Sequence, residues 1–194
     1  DVLRIALLGR PNVGKSQLFN SLAKKQQAIV ANVAGTTRDI NRVRIRFEGQ
    51  EIELLDTAGI RKSGKIERGI EKFSVLRSLQ AIEESDICLL LMDVAEHSTA
   101  LDQKIAGLIK EAGKGLIIVV NKWDKLKTLE EEAPEAVIEE AVELNKREKK
   151  SRAKAQGNIQ NITTKDAFTR DAIANRITYN FQFVPWASLL FTSA

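Results

Sequence analysis

The stretch Gly9-Arg10-Pro11-Asn12-Val13-Gly14-Lys15-Ser16 constrains this chain more than any other, because glycine, four open positions, glycine, lysine and serine is the spacing at which a loop closes around phosphate groups. The glycines let the backbone curl so that successive N–H groups point into one hollow, and the positive end of a following helix adds to its pull on an anion. Lys15 is placed to reach the outer phosphates, and the Ser16 hydroxyl to face Mg²⁺. Such a loop needs a strand before it and a helix after it. Val2 to Leu8 is a short apolar run suited to a buried strand, and Leu18, Phe19 and Leu22 follow at helical spacing. A nucleoside triphosphate is therefore expected against Gly9, Arg10, Pro11, Asn12, Val13, Gly14, Lys15, Ser16 and Gln17; the plainer alternative is a strand-to-helix turn with no ligand.

The rest of the chain continues the alternation. Ala28 to Asn41 reads as a polar loop. Val43, Ile45 and Phe47 then alternate with Arg42, Arg44 and Arg46, the period of a half-buried strand. Glu48-Gly49-Gln50 is a turn and Ile52, Leu54 and Leu55 the return strand, which together make an antiparallel hairpin at a sheet edge with a solvated arginine face. A basic, glycine-punctuated loop runs from Gly59 to Gly69. Ile70, Phe73, Leu76, Leu79 and Ile82 mark a helix face, Ile87 to Met92 a buried strand, and Thr99 with Asp102 a helix start. Leu101, Ile105, Leu108, Ile109 and Ala112 give that helix its apolar stripe, and Gly115 to Val120 is a further strand. Phe168, Ala172, Ile177 and Phe181 suggest another amphipathic helix, and Trp186 to Phe191 the last strand. This order argues for a parallel sheet covered on both faces.

Residues 126–161 break the pattern. Glutamates crowd the first half and lysines and arginines the second, with Pro134 suited to a first helical turn and Glu143–Arg147 and Glu148–Arg152 at pairing distance along a helix. We read a charged insertion, partly helical or disordered. At 194 residues, 43% hydrophobic and 29% charged, the chain has the size and balance of one globular domain. No apolar run approaches membrane-spanning length, so no membrane partner and a cytoplasmic location are expected. The single cysteine, Cys88, lies in an apolar run and reads as a buried structural thiol; the single histidine, His97, reads as an ordinary surface residue. The net charge of +4 permits contact with nucleic acid without arguing for it.

Four further elements narrow the ligand. Asp56-Thr57-Ala58-Gly59 follows the second hairpin strand: Asp56 can hold a water of the Mg²⁺ shell, and Gly59 can offer its N–H to the γ-phosphate. Thr36 and Thr37 lie in a loop, and Mg²⁺ favours octahedral oxygen coordination, so Thr37 is expected to complete the metal shell. Asn121-Lys122-Trp123-Asp124 follows a buried strand. Guanine presents N1–H and a 2-amino group side by side, from which one carboxylate, Asp124, can accept twice, whereas adenine would leave that carboxylate unpaired. Asn121 can bond the base or neighbouring loops, the Lys122 stem can lie along the base, and the N–H groups of Ser193 and Ala194 can meet the guanine oxygen. GTP or GDP with Mg²⁺ is the expected ligand set.

In this order the motifs GRPNVGKS, AGTTRD, DTAG, NKWD and TSA resemble the translation-factor-related bacterial GTPases. The run from Gly69 to Ser78 is similar to the second G domain of the EngA (Der) family, ribosome-assembly GTPases with two tandem G domains and a KH-like domain. The resemblance implies a Ras-like P-loop GTPase domain: a mostly parallel six-stranded sheet with one antiparallel edge strand, helices on both faces and the C-terminal helix absent. Residues 1–194 are then a single G domain from a longer protein, monomeric by itself, whose ribosome or rRNA contacts belong to the full-length form.

By the same resemblance Asn12, Lys15, Thr37 and Gly59 would serve GTP hydrolysis. Ile60 stands where many relatives carry a water-orienting glutamine, so turnover is expected to be slow. In potassium-stimulated GTPases an asparagine at the place of Asn12 helps hold a monovalent cation, which implies K⁺ here. Two alternatives stay open: a potassium-activated tRNA-modification-type GTPase that dimerises through its G domain, and a nucleotide-controlled binding module with negligible turnover.

Overall fold

The fold was analysed in a computed structural model that describes residues 2–25, 41–56, 78–126 and 169–193. Chain order runs β1 (Leu3–Leu8), α1 (Lys15–Lys25), β2 (Asn41–Phe47), β3 (Gln50–Asp56), a helical stretch α2 at 78–84, and β4 (Ile87–Asp93). It continues with α3 (Ala100–Glu111), β5 (Gly115–Asn121), a 3₁₀ turn (Trp123–Lys125), α4 (Arg170–Asn180) and β6 (Ser188–Phe191). The six strands form one sheet in the order β2-β3-β1-β4-β5-β6. Every pairing is parallel except β2 with β3, the expected antiparallel edge.

The apolar runs explain the layers. Alternate side chains of a strand point to opposite faces, so a run apolar throughout needs cover on both. On one face Leu7, Val43, Ile45, Leu54, Leu91 and Val119 pack against Phe19 of α1. On the other, Ala6, Leu8, Leu55, Leu90, Met92, Ile118 and Val120 meet Ile82 of α2, Ile105 and Ile109 of α3, and Ile173 and Ile177 of α4. Each fully buried side chain of this size contributes about 1.5–3 kcal/mol, which makes these two clusters the main source of stability. Cys88 sits in the second, with its thiol pushed up by burial against the opposing pull of the Ser85 hydroxyl and Lys114.

The β2–β3 hairpin turns through Glu48 and Gly49, both at positive φ (47° and 83°), as a tight two-residue hairpin loop requires. Its arginines form the solvated face expected from the alternation, with Arg44 and Arg46 exposed, but two of them also reach a buried carboxylate. Arg4 and Arg44 both stand opposite Glu53 in register, with guanidinium nitrogens 3.6 and 3.4 Å from its carboxylate, and Arg42 lies 3.8 Å from it while also pairing with Glu84. A glutamate 6% exposed in the middle of a sheet face has gathered the cations of two neighbouring strands to compensate its charge.

Thr99 opens α3 as a full capping box with Asp102, as its sequence predicts. α4 starts from a Thr99-like cap at Thr169. The last strand is shorter than the apolar run: Trp186 lies outside β6 and is 53% exposed, because Pro185 and the turn after Phe181 bring the chain into the sheet only at Ser188. On the α1 face of β6, Leu190 is 52% exposed. Most of the charged segment 126–161 falls outside the described residues.

Candidate functional site

The carboxyl ends of β1, β4, β5 and β6 come together at one edge of the sheet, where the strand order switches from β3 on one side of β1 to β4 on the other. Open α/β sheets bind ligands at such a switch point. The loop Gly9 to Gly14 leaves β1 here and enters α1 at Lys15.

Three residues give the loop its curl: Gly9 at φ 134°, Asn12 at 66° and Gly14 at 102°. The glycines are needed for space as well. A Cβ on Gly9 would run into the Leu91 carbonyl of β4, and one on Gly14 into the Asn121 amide of β5. Lys15 is 6% exposed, and its ammonium donates to the carbonyls of Gly9 (2.7 Å) and Arg10 (2.6 Å), folding back across the loop that it follows. Ser16 and Gln17 are exposed in the first turn of α1, which carries no acidic residue. That positive helix end is left without a neutralising carboxylate, so these residues fit an anion.

The segment after β5 wraps the other side of the loop. Asn121, fully buried, donates from Nδ2 to the Val13 carbonyl at 2.9 Å. Lys122, in left-handed conformation at φ 64°, donates to the Asn12 carbonyl (2.7 Å) and to Asp93 Oδ2 (2.6 Å). Burial pushes the Asp93 carboxyl up, but the Lys122 ammonium and the Ala95 N–H outweigh it and hold the group below its ordinary range. Asp124 is exposed in the 3₁₀ turn, its N–H donating to Ser193 Oγ at 3.0 Å. The neighbouring Trp123 donates its backbone N–H to the Thr192 carbonyl (3.1 Å) and packs edge-on to Phe191, ring centroids 4.8 Å apart. Through these contacts β6 fixes the turn that presents Asp124.

Gly9, Arg10, Pro11, Asn12, Val13, Gly14, Lys15, Ser16, Gln17, Asn121, Lys122, Asp124 and Ser193 are thus gathered around one edge. Asp56 ends β3, paired with Leu7 of β1 and Asn41 of β2; its side chain, like Thr36, Thr37, Gly59, Ile60 and Ala194, lies outside what is described. Ser193 meets the 3₁₀ turn through its hydroxyl, a contact that the sequence reading did not foresee.

Three acidic residues were also missed. Asp93 was within reach of sequence reasoning, since a lone carboxylate ending an apolar strand stands as Asp56 does. Glu96 and Asp102 were not. Both hold Arg10: Nη1 lies 3.0 Å from Glu96 Oε2, Nη2 donates to the Glu96 carbonyl, and Nε lies 3.5 Å from Asp102 Oδ1. Burial lowers the Arg10 pKa, yet the two carboxylates outweigh it and raise it; burial raises that of Asp102 against the pull of Thr99 and Arg10. His97 is not an ordinary surface residue either. It is half-buried, and burial together with the nearby Arg176 charge lowers its pKa to about 4.

Sheet order, phosphate loop and base-side turn define a P-loop GTPase domain. Residues 4–122 match the family model described as 50S ribosome-binding GTPase, and the chain belongs to that family. Among its curated relatives are GTPase Der proteins. That of Chloroflexus aurantiacus is 43% identical over 192 residues, 99% of this chain and 34% of the relative, and that of Herpetosiphon aurantiacus 52% identical over 122 residues, 63% of this chain and 27% of the relative. The chain thus spans about a third of the length of the Chloroflexus relative. Among solved structures, Era from Aquifex aeolicus bound to GDP and AlF4⁻ superposes with a TM-score of 0.57 at 24% identity, covering 99% of this chain and 51% of that one. The G domain of the FeoB iron transporter of T. maritima gives 0.52 at 20%, covering 100% and 88%. Both show the fold. Among the described residues no helix is long and apolar enough to cross a membrane.

Proposed function

We propose that this chain binds GTP with Mg²⁺, hydrolyses it slowly to GDP and phosphate with stimulation by K⁺, and acts as the switch of a longer ribosome-assembly GTPase. The observation that carries the reading is the joining of two segments 110 residues apart, one suited to guanine and one to phosphates, by Asn121 on the Val13 carbonyl and Lys122 on the Asn12 carbonyl.

In this reading the N–H groups at the start of α1 and the Lys15 ammonium bind the phosphates, and Asp124 selects guanine by accepting from its paired donors. Ser16, Thr37 and, through water, Asp56 would hold Mg²⁺, which when bound neutralises charge on the phosphate oxygens. Gly59 would offer its N–H to the γ-phosphate. Ile60 cannot orient a water, which is the reason to expect slow turnover. The Asn12 amide, exposed at the mouth of the loop, is suited to help hold K⁺. Contact with ribosomal RNA or the large subunit is assigned to the longer protein, and the isolated chain to a monomer.

Binding and hydrolysis of GTP and ATP, in K⁺ and in Na⁺ at matched ionic strength, test this for the parent, Asn12→Ala and Asp124→Ala. The parent should prefer GTP by about 10⁴-fold, the discrimination open to an exposed carboxylate that a bound base would cover and that adenine would leave unpaired, and Asp124→Ala should erase most of it. Hydrolysis should be faster in K⁺, and Asn12→Ala should abolish that difference. Equal affinity for both nucleotides would overturn the guanine reading; equal rates in both salts would overturn the potassium part alone.

A further inference from the structure

The functions assigned so far leave Asp102 unused, although it is a carboxylate with 0% exposure at the start of α3. Its helix-capping role occupies one oxygen: Oδ2 accepts the Thr99 N–H at 2.9 Å and the Thr99 hydroxyl at 2.8 Å. The other oxygen, Oδ1, makes no hydrogen bond and faces Arg10 Nε at 3.5 Å. Glu96 grips the far end of the same guanidinium, but its own side chain is 70% exposed and screened by water, whereas a fully buried carboxylate needs its counter-charge.

Arg10 lies inside the phosphate loop, and its two ends do different things. Its side chain reaches out to the start of α3, while its carbonyl, next to that of Gly9, accepts the Lys15 ammonium at 2.6 Å. A planar guanidinium gripped by Glu96 at Nη1 and Nη2 and facing the buried Asp102 charge at Nε leaves the residue little freedom to rotate, so fixing the side chain also aims the carbonyl.

We propose that Asp102 is a positioning residue for Lys15, acting through the Arg10 guanidinium, so that the start of α3 sets the geometry of the phosphate loop. This rests on the reading of the loop as a GTP site. Any displacement of the start of α3 would then be felt as a change in phosphate affinity.

A double-mutant cycle in the 194-residue chain separates this from simple helix capping. Asp102→Asn keeps an oxygen for Thr99 but removes the charge that faces Arg10. Arg10→Gln removes the intermediary, and Thr99→Val removes the cap hydroxyl while leaving the carboxylate. GTP affinity is measured for each by titration, and melting temperature without nucleotide. Asp102→Asn and Arg10→Gln should each weaken GTP binding about tenfold and their combination no further, since the two act as one unit. Thr99→Val should lower the melting temperature and leave affinity within about twofold, as for loss of a cap alone.

Multiplying losses in the double variant would overturn the inference, and so would an equal affinity loss in Thr99→Val. If Asp102→Asn does not fold, unchanged affinity in Arg10→Gln, a loop substitution, overturns it independently. A parent that fails to bind GTP would sink the underlying reading and this inference with it. Parent binding with unaffected variants would sink the inference alone.

Discussion

Gly14 meets two demands at once. Its φ of 102° is strained for any residue with a Cβ, and the space that a Cβ would fill belongs to the Asn121 amide. Gly49 meets only the first, having nothing within 4 Å. Both substitutions to alanine should therefore cost about 1–2 kcal/mol of backbone strain, while only Gly14→Ala should push Asn121 off the Val13 carbonyl and separate the two halves of the site. We expect Gly14→Ala to lower GTP affinity by at least about 100-fold, roughly 2.7 kcal/mol, and Gly49→Ala to leave it unchanged at a similar loss of stability. Titration calorimetry beside urea denaturation reads both quantities. Equal affinity in the two variants would mean that the Asn121 contact does not organise the site.

At the scale of elements, the turn after β5 is held from three sides: by the phosphate loop, by Asp93 at the end of β4, and by Thr192 and Ser193 after β6. Lys122 is the tie to the first two. Asp93→Asn removes its counter-charge and leaves it the Asn12 carbonyl, so the turn should loosen without detaching. A drop of about fivefold to tenfold in GTP affinity is expected, the size of losing one charge-assisted hydrogen bond, with the GTP-over-ATP preference retained. Loss of that preference would place Asp93 in base recognition.

The elements themselves were largely legible. The period of two in Val43, Ile45 and Phe47, the continuous run Ile87 to Met92 and the Thr99–Asp102 box each state a local preference, and the structure agrees with each. Periodicity could not say that Trp186 falls outside the last strand, because an apolar residue beside a proline reads alike in strand or turn. Nor could it pair Arg42 and Arg44 with Glu53, or Arg10 with Glu96 and Asp102. Those contacts join strands and loops that only the sheet order brings together. Of the candidate site, residue types and spacing singled out the Gly9–Ser16 loop and the Asn121–Asp124 turn that the structure brings together, but not the groups that hold them to one another.

The whole molecule carries a pH dependence in His97, which lies after β4 and feels Arg176 of α4. Its folded pKa, about 4, is below the ordinary 6.5, so the unfolded chain takes up the proton first. The resulting stability is fully present above about pH 6.5 and is lost as pH falls toward 4. At pH 5 the loss from this group is about 2 kcal/mol. His97→Gln should therefore narrow the difference in unfolding free energy between pH 7 and pH 5 by about that amount in urea denaturation. An unchanged difference would mean that the ring takes up its proton in the folded state as readily as in the unfolded one.

The contacts of Trp123 and Asp124 with Thr192 and Ser193 also bear on when the site comes into being. A polypeptide emerges from its N-terminus at about 5–20 residues per second, and nothing can pair with a segment not yet made. Within this domain the loop from Gly9 to Gly14 is made before the turn at Asn121 to Asp124, and the strand β6 that steadies that turn is made later still. During synthesis the Gly9–Gly14 loop and the strand that steadies the turn after β5 are therefore separated in time by every residue between α1 and β6. Until β6 docks, the emerging chain would hold the Gly9–Gly14 loop without the contacts from Thr192 and Ser193 that steady the turn at Trp123 and Asp124.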